Sequence, residues 1–165
     1  MQLLISDANI LIDMEEGGLL DLMFLLPYQF KIPDVVLDEE LEEMAGRLRA
    51  LNIQVGELDG DGMRHAIELS GKHKKVSRYD CIGLALAKQE CCPLLTGDRA
   101  LRAAASQEAV VVKGTVWLME QLVVLGKLSV TEAEASIVRM REKGRRLPWE
   151  QIALMLSSIE NTGHE

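Results

Sequence analysis

The sequence is short of several residue classes, and each shortage argues against a type of protein. Its 165 residues include only three cysteines, with no CxxC pair, so a disulfide framework is not expected. Two Trp, two Tyr and two Phe are too few for a broad surface that stacks nucleic-acid bases. No apolar run approaches the ~18 residues of a membrane span. The net charge of −8 argues against simple electrostatic binding of nucleic acid.

Several common functional motifs are missing as well. The histidines at His65, His73 and His164 are scattered, and none lies at zinc-ligand spacing from a cysteine. There is no GxxxxGK[ST] or GxGxxG loop and no GxSxG elbow, so nucleotide binding and serine-hydrolase chemistry are unsupported. The N-terminal segment has no basic region before its apolar run. We therefore expect no signal peptide, no membrane association and a cytoplasmic protein.

Short apolar runs alternate with helical patterns through the first 125 residues. This alternation predicts an α/β fold with a central parallel sheet, joined by right-handed crossovers in an α/β/α arrangement. One segment, residues 34–51, is predicted as a single amphipathic helix from its apolar stripe near period 3.6. The predicted strands are residues 3–6, 29–32, 53–58, 93–96 and 109–113.

The pattern changes after Gly126. Residues 131–143 and 149–159 are predicted as two amphipathic helices with no strand between them. We therefore expect an α/β domain over residues 1–125 and a C-terminal helical extension over 126–165. Three roles for this extension stay open: dimerisation, binding a partner protein, or covering the sheet.

Four acidic residues stand where strands end or the following helices begin. Asp7 and Asp98 directly follow predicted strands, whereas Glu39 and Asp80 lie in early helical turns. Each has an ordinary explanation, since Asp is a good N-cap and acids suit the first turn of a helix. In a parallel sheet, however, these positions share one edge, so the four carboxylates should converge.

Converging carboxylates need a cation. Two unit charges ~4 Å apart repel by about 4 kcal/mol at an effective dielectric constant near 20. Mg²⁺ or Mn²⁺ prefers oxygen ligands and would offset this repulsion. Carboxylates that hold such an ion, without an obvious protein nucleophile, suit hydrolysis of phosphodiester bonds.

Four segments, in order, resemble the motifs of the PIN-domain family. ISDANILID at 5–13 is similar to the first motif and IPDVVLDEEL at 32–41 to the second. YDCIGLALAKQ at 79–89 resembles the third, and LLTGDRALR at 94–102 the fourth. The segment VVVKGTVWL at 110–118 also resembles the family's closing strand and helix.

The resemblance implies a Mg²⁺- or Mn²⁺-dependent ribonuclease, and many relatives are VapC-type toxins of toxin–antitoxin pairs. RNA is then the expected substrate, an antitoxin protein an expected partner, and a homodimer the expected assembly. Carried over by motif, the metal-binding and catalytic residues are Asp7, Asp80 and Asp98, together with a second-motif acid. Glu39 is the predicted second-motif acid, with Glu40 and Glu43 left open.

Basic residues near the predicted site have two interpretations. They either form a positive rim that contacts RNA phosphates or belong to an ordinary solvated surface. A rival function also stays open, in which the chain is a non-catalytic PIN-like binding module whose acids only cap helices. The basic residues concerned are Lys72, Lys74, Lys75, Arg78, Arg99 and Arg102.

Overall fold

A five-stranded sheet forms the centre of the protein. We describe residues 1–162 of a computed structural model, so His164 lies outside the described residues. All neighbouring strands are parallel, which confirms the predicted sheet. In spatial order the strands are β3 (Gln54–Gly56), β2 (Tyr28–Pro33), β1 (Gln2–Ser6), β4 (Leu94–Leu95) and β5 (Val112–Lys113).

Helices cover both faces of the sheet because successive strand residues point to opposite sides. Leu4 and Leu95 belong to one buried apolar cluster, and Ile5 and Leu94 belong to the other. The predicted three-layer α/β/α architecture is thereby confirmed. The helices are α1 (Ala8–Glu16), α2 (Leu20–Met23), α3 (Asp34–Glu39), α4 (Ala45–Ala50), α5 (Gly60–Lys72), α6 (Arg78–Glu90), α7 (Arg99–Gln107), α8 (Thr115–Val124), α9 (Val130–Glu142) and α10 (Trp149–Thr162). Within residues 1–162, no helix is long and apolar enough to cross a membrane.

The prediction of one continuous helix over residues 34–51 is wrong. The chain leaves the helix after α3, makes a short 3₁₀ turn at Glu42–Met44 and starts again at α4. Five of the six residues at 38–43 are acidic, so a continuous helix would place like charges at i,i+4, as in the pair Asp38 and Glu42. The break also lets Leu41, 2% exposed, enter the core.

The C-terminal helices share a core with the sheet. Met140 on α9 and Ile152 on α10 are fully buried and belong to the same cluster as Leu4. The connection between these helices also contacts α1, where the Arg145 guanidinium donates to the Asp13 carboxylate at 2.6 Å. That carboxylate is only 8% exposed, so Arg145 supplies its counter-charge. The extension therefore stabilises the helix that follows β1.

The strand order reverses direction beside β1. The chain first adds β2 and β3 on one side and later adds β4 and β5 on the other. A crevice forms at such a reversal, at the carboxyl ends of the two central strands, and this is where ligands bind in open α/β sheets. Asp7 follows β1 and Thr96 follows β4. Both therefore lie at the mouth of this crevice.

Candidate active site

Asp7 is fixed at the crevice by two hydrogen bonds. Its Oδ1 accepts from the backbone N–H of Ile10 at 2.9 Å, which caps α1. Its Oδ2 accepts from the Thr96 hydroxyl at 2.5 Å. Asp7 is only 7% exposed, and this burial raises its pKa to about 7 in spite of the two hydrogen bonds. A carboxylate held this way is oriented, but within the described part of the chain no positive charge compensates it.

Thr96 links Asp7 to Asp98. Its hydroxyl donates to Asp7 and accepts from the backbone N–H of Asp98 at 3.0 Å, and Thr96 is fully buried. The Asp98 carboxylate caps α7 by accepting from the N–H of Leu101 at 2.8 Å. Sequence reasoning missed Thr96. The available signal was a hydroxyl residue between a buried strand and a capping aspartate.

Asp80 lies in the first turn of α6, as the sequence predicted. The helix begins after Ser77, whose hydroxyl accepts from the backbone N–H of Asp80 at 3.1 Å. Burial raises the pKa of the Asp80 carboxyl, and the nearby negative charge of Asp98 raises it further. Asp80 also raises the pKa of Asp7, although burial is the larger cause there. Asp80 therefore lies close enough to both Asp7 and Asp98 for their negative charges to interact.

The structure places Glu40, not Glu39, beside these aspartates. Asp7, Glu40 and Asp80 line one cavity of about 10 Å³. That volume is close to the least that holds a single water molecule. Burial raises the pKa of Glu40, and Asp80 is the second cause. Glu39 instead accepts a hydrogen bond from the Tyr79 hydroxyl outside the cavity, so its carboxylate is already engaged.

The carboxylates at the cavity are not neutralised by basic side chains. Among residues 1–162, no Lys, Arg or His forms an ion pair with Asp7, Glu40, Asp80 or Asp98. The same residues contain no group of three or more His, Cys, Asp or Glu side chains arranged closely enough to hold a metal ion. The carboxylates are therefore of the chemical type that binds a divalent metal ion, but their oxygen atoms do not surround one common point.

The basic residues predicted at the rim divide into two sets. Lys72 lies 2.8 Å from the carboxylate of Glu108, and Arg78 lies 3.6 Å from that of Glu39. These two charges are therefore partly neutralised within the protein. The other four are solvent-exposed and stay available for phosphate contacts: Lys74, Lys75, Arg99 and Arg102.

Comparison with known proteins decides the family. The family model described as DUF3368, PIN domain, matches residues 3–161. This chain belongs to the PIN-domain family. PIN domains are typically nucleases and generally use divalent metals. The match includes the C-terminal helices as well as the sheet.

Two solved structures are similar in shape. VapBC2 from Rickettsia felis, bound to a DNA fragment from its promoter, matches with a TM-score of 0.49 and 12% identity over 68% of this chain and 98% of that chain. A toxin–antitoxin complex from Klebsiella pneumoniae matches with a TM-score of 0.44 and 24% identity over 57% and 85%. At these scores the likeness says nothing about this chain's activity or partners. Among curated proteins there is no match.

Proposed function

We propose that this PIN-domain protein is a metal-dependent endoribonuclease that hydrolyses phosphodiester bonds. The observation that carries the proposal is a set of carboxylates at the reversal point of a parallel sheet, with no cationic partner among residues 1–162. Asp7, Glu40 and Asp80 line one cavity there. Asp98 joins the set through Thr96 and through its effect on the pKa of Asp80. Carboxylate oxygens suit Mg²⁺ or Mn²⁺, so the chemical type of the donors fits the family's usual cofactor.

Asp7, Glu40, Asp80 and Asp98 would hold the ion, with Glu40 in the role predicted for Glu39. When bound, the ion supplies a water of lowered pKa and stabilises the oxygen that leaves phosphorus. The protein keeps the Asp7 carboxylate in a fixed direction through Ile10 and Thr96, so little reorganisation is needed when RNA binds. The exposed basic residues at the rim would position phosphates without reading sequence.

Added metal should stabilise the folded protein. We expect millimolar Mn²⁺ to raise the melting temperature, because an ion that binds only the native state stabilises it by mass action. The shift should grow with pH through about 7, since burial raises the pKa of Asp7 to about 7 and metal binds the deprotonated carboxylate. Differential scanning fluorimetry between pH 6 and pH 8, with Ca²⁺ as a second ion, measures this. A melting temperature unchanged by Mn²⁺ would favour the non-catalytic binding module.

The hydroxyl of Thr96 should orient the Asp7 carboxylate and the backbone at Asp98, independently of the rest of the side chain. Thr96→Val keeps the shape of the side chain but leaves Asp7 Oδ2 and the Asp98 N–H without their shared partner. We expect a 10- to 100-fold loss of activity, the range for partners that orient metal ligands. Thr96→Ser keeps the hydroxyl and should stay within a few-fold of wild type. Equal cleavage rates for the two variants would contradict this role.

The toxin role, an antitoxin partner, a homodimer and a cytoplasmic location are further proposals that rest on the motif resemblance. A toxin should arrest growth when expressed alone, and an adjacent gene for a small DNA-binding protein should relieve the arrest. The four-carboxylate site predicts that Asp98→Asn abolishes the arrest without lowering expression. An arrest that survives this substitution would separate toxicity from nuclease chemistry.

A further inference from the structure

An aromatic ring forms part of the wall of the acidic cavity. Tyr79 lines the cavity together with Asp7, Glu40 and Asp80. It is half-buried, with one side against the main apolar core. The proposed metal site does not use this ring. An aromatic surface beside the carboxylates therefore needs its own explanation.

Two neighbours hold the ring in place. The Tyr79 hydroxyl donates a hydrogen bond to Glu39. The guanidinium carbon of Arg78 lies 5.3 Å from the centre of the ring, within the range of a cation–π contact. Arg78 Nη2 also lies 3.6 Å from Glu39 Oε2, so each of the three side chains contacts the other two. The ring and the guanidinium group therefore lie side by side at the protein surface before any ligand arrives.

The other aromatic residues are engaged elsewhere. Tyr28 packs against Trp117 with ring centres 5.1 Å apart, and Phe24 packs against Phe30 at 5.5 Å. Trp149 lies under Arg141 at 4.8 Å, on the C-terminal helices. Among the residues described, Tyr79 is the one aromatic side chain that lines the acidic cavity.

The charge balance indicates which part of a ligand this cluster would recognise. Glu39 partly neutralises Arg78, so the cluster offers flat surfaces more than positive charge. Phosphates would be attracted more strongly by exposed side chains such as Lys74 and Lys75, which form no ion pair among the residues described. A flat, uncharged nucleobase instead gains by stacking on an aromatic ring or a guanidinium plane.

We infer that Tyr79 and Arg78, held by Glu39, bind one unpaired base of the RNA next to the phosphate at the carboxylate site. The inference rests on the proposed nuclease function and adds to it a subsite for one base beside the carboxylates. A base within a duplex is stacked on its neighbours and cannot lie on this ring without leaving the helix. Duplex RNA should therefore be a poor ligand and a poor substrate.

The test measures binding and cleavage separately. Binding uses fluorescence anisotropy of a short labelled RNA without self-complementarity, in an Asp98→Asn background that leaves the strand uncut. A second set of strands carries one abasic ribose at each position in turn. We expect one abasic position to weaken binding about 5- to 150-fold, the range for loss of one base–aromatic stack. Tyr79→Leu should remove this difference between intact and abasic strands.

Tyr79→Phe is the matched control because it keeps the ring and loses only the hydroxyl. It should retain the abasic effect, and its melting temperature should be compared with that of Tyr79→Leu. The salt dependence of binding should be the same in all variants, because stacking releases no counterions. The inference is overturned if no abasic position weakens binding to the parent protein. It is also overturned if Tyr79→Leu keeps the parent's preference for the intact strand.

The two proposals fail in different ways. If the parent shows the abasic effect but the wild-type protein cuts no RNA with Mn²⁺, the base site stands and the nuclease proposal falls. If wild type cuts single-stranded RNA and Tyr79→Leu has an unchanged kcat/KM, the nuclease stands and the base site falls.

Discussion

Asp7→Asn is expected to lower kcat/KM for RNA cleavage by at least about 10³-fold, a loss of ~4 kcal/mol in the transition state. The amide carries no charge with which to hold a divalent ion. Its oxygen can still accept from the N–H of Ile10, so the cap of α1 is kept. Asp59→Asn is the matched control, because Asp59 caps α5 in the same way and is exposed. A cleavage rate near wild type for Asp7→Asn would refute the site.

The same substitution should not lower stability in the absence of metal. Burial raises the pKa of Asp7 from 3.8 to about 7, so between these values the folded state holds a proton that the unfolded state has lost. The contribution of Asp7 to stability is therefore present at low pH and lost as pH rises through about 7. Thermal melts in EDTA should show Asp7→Asn at least as stable as wild type at pH 8. A clear destabilisation there would make Asp7 a structural cap.

Glu40→Gln is expected to lower kcat by at least about 100-fold, since even the outer partners of a metal cost 10- to 100-fold when removed. Glu39→Gln should act differently, because Glu39 contacts Tyr79 and Arg78 and does not line the cavity. We expect a few-fold rise in KM with kcat largely kept. Glu43 is exposed, and Glu43→Gln serves as the control with unchanged kinetics.

Steady-state kinetics on one RNA substrate compares the three glutamine variants directly. Each change removes one negative charge from the same short segment, so a general electrostatic effect would be shared by all three. A loss of kcat in Glu39→Gln that exceeds the loss in Glu40→Gln would return the second-motif role to Glu39.

The architecture was predictable because its signals are local. Each strand is a short segment with apolar residues between two helical patterns, and the helices between strands are long enough for crossovers, which leaves a parallel sheet as the outcome. Asp7 and Asp98 could be placed at one edge on topology alone. The tail helices were also recognisable from their period. Their burial against the core of the sheet was not, because amphipathicity shows that a face is buried but not what covers it.

The second-motif acid shows where local signals fail. Glu39 and Glu40 are chemically identical neighbours, and a one-residue difference in register decides which one lines the cavity. The register depends on the helix ending at Glu39, and the apolar stripe continues past that point. Repulsion among the acidic side chains and the burial of Leu41 both favour a break in the helix after Glu39. The spacing of apolar residues along the sequence reports neither effect.

The contact between Arg145 and Asp13 has a consequence for how the protein is made. The two residues are separated by 132 positions, and translation proceeds from the amino end. While the strands of the sheet are being translated, the Asp13 carboxylate cannot yet pair with the Arg145 guanidinium. During that time α1 either packs against the core with an unpaired buried charge or stays unpacked. We expect nascent chains halted before Arg145 to stay protease-sensitive around α1, and α1 to become protected only once Arg145 has left the ribosome.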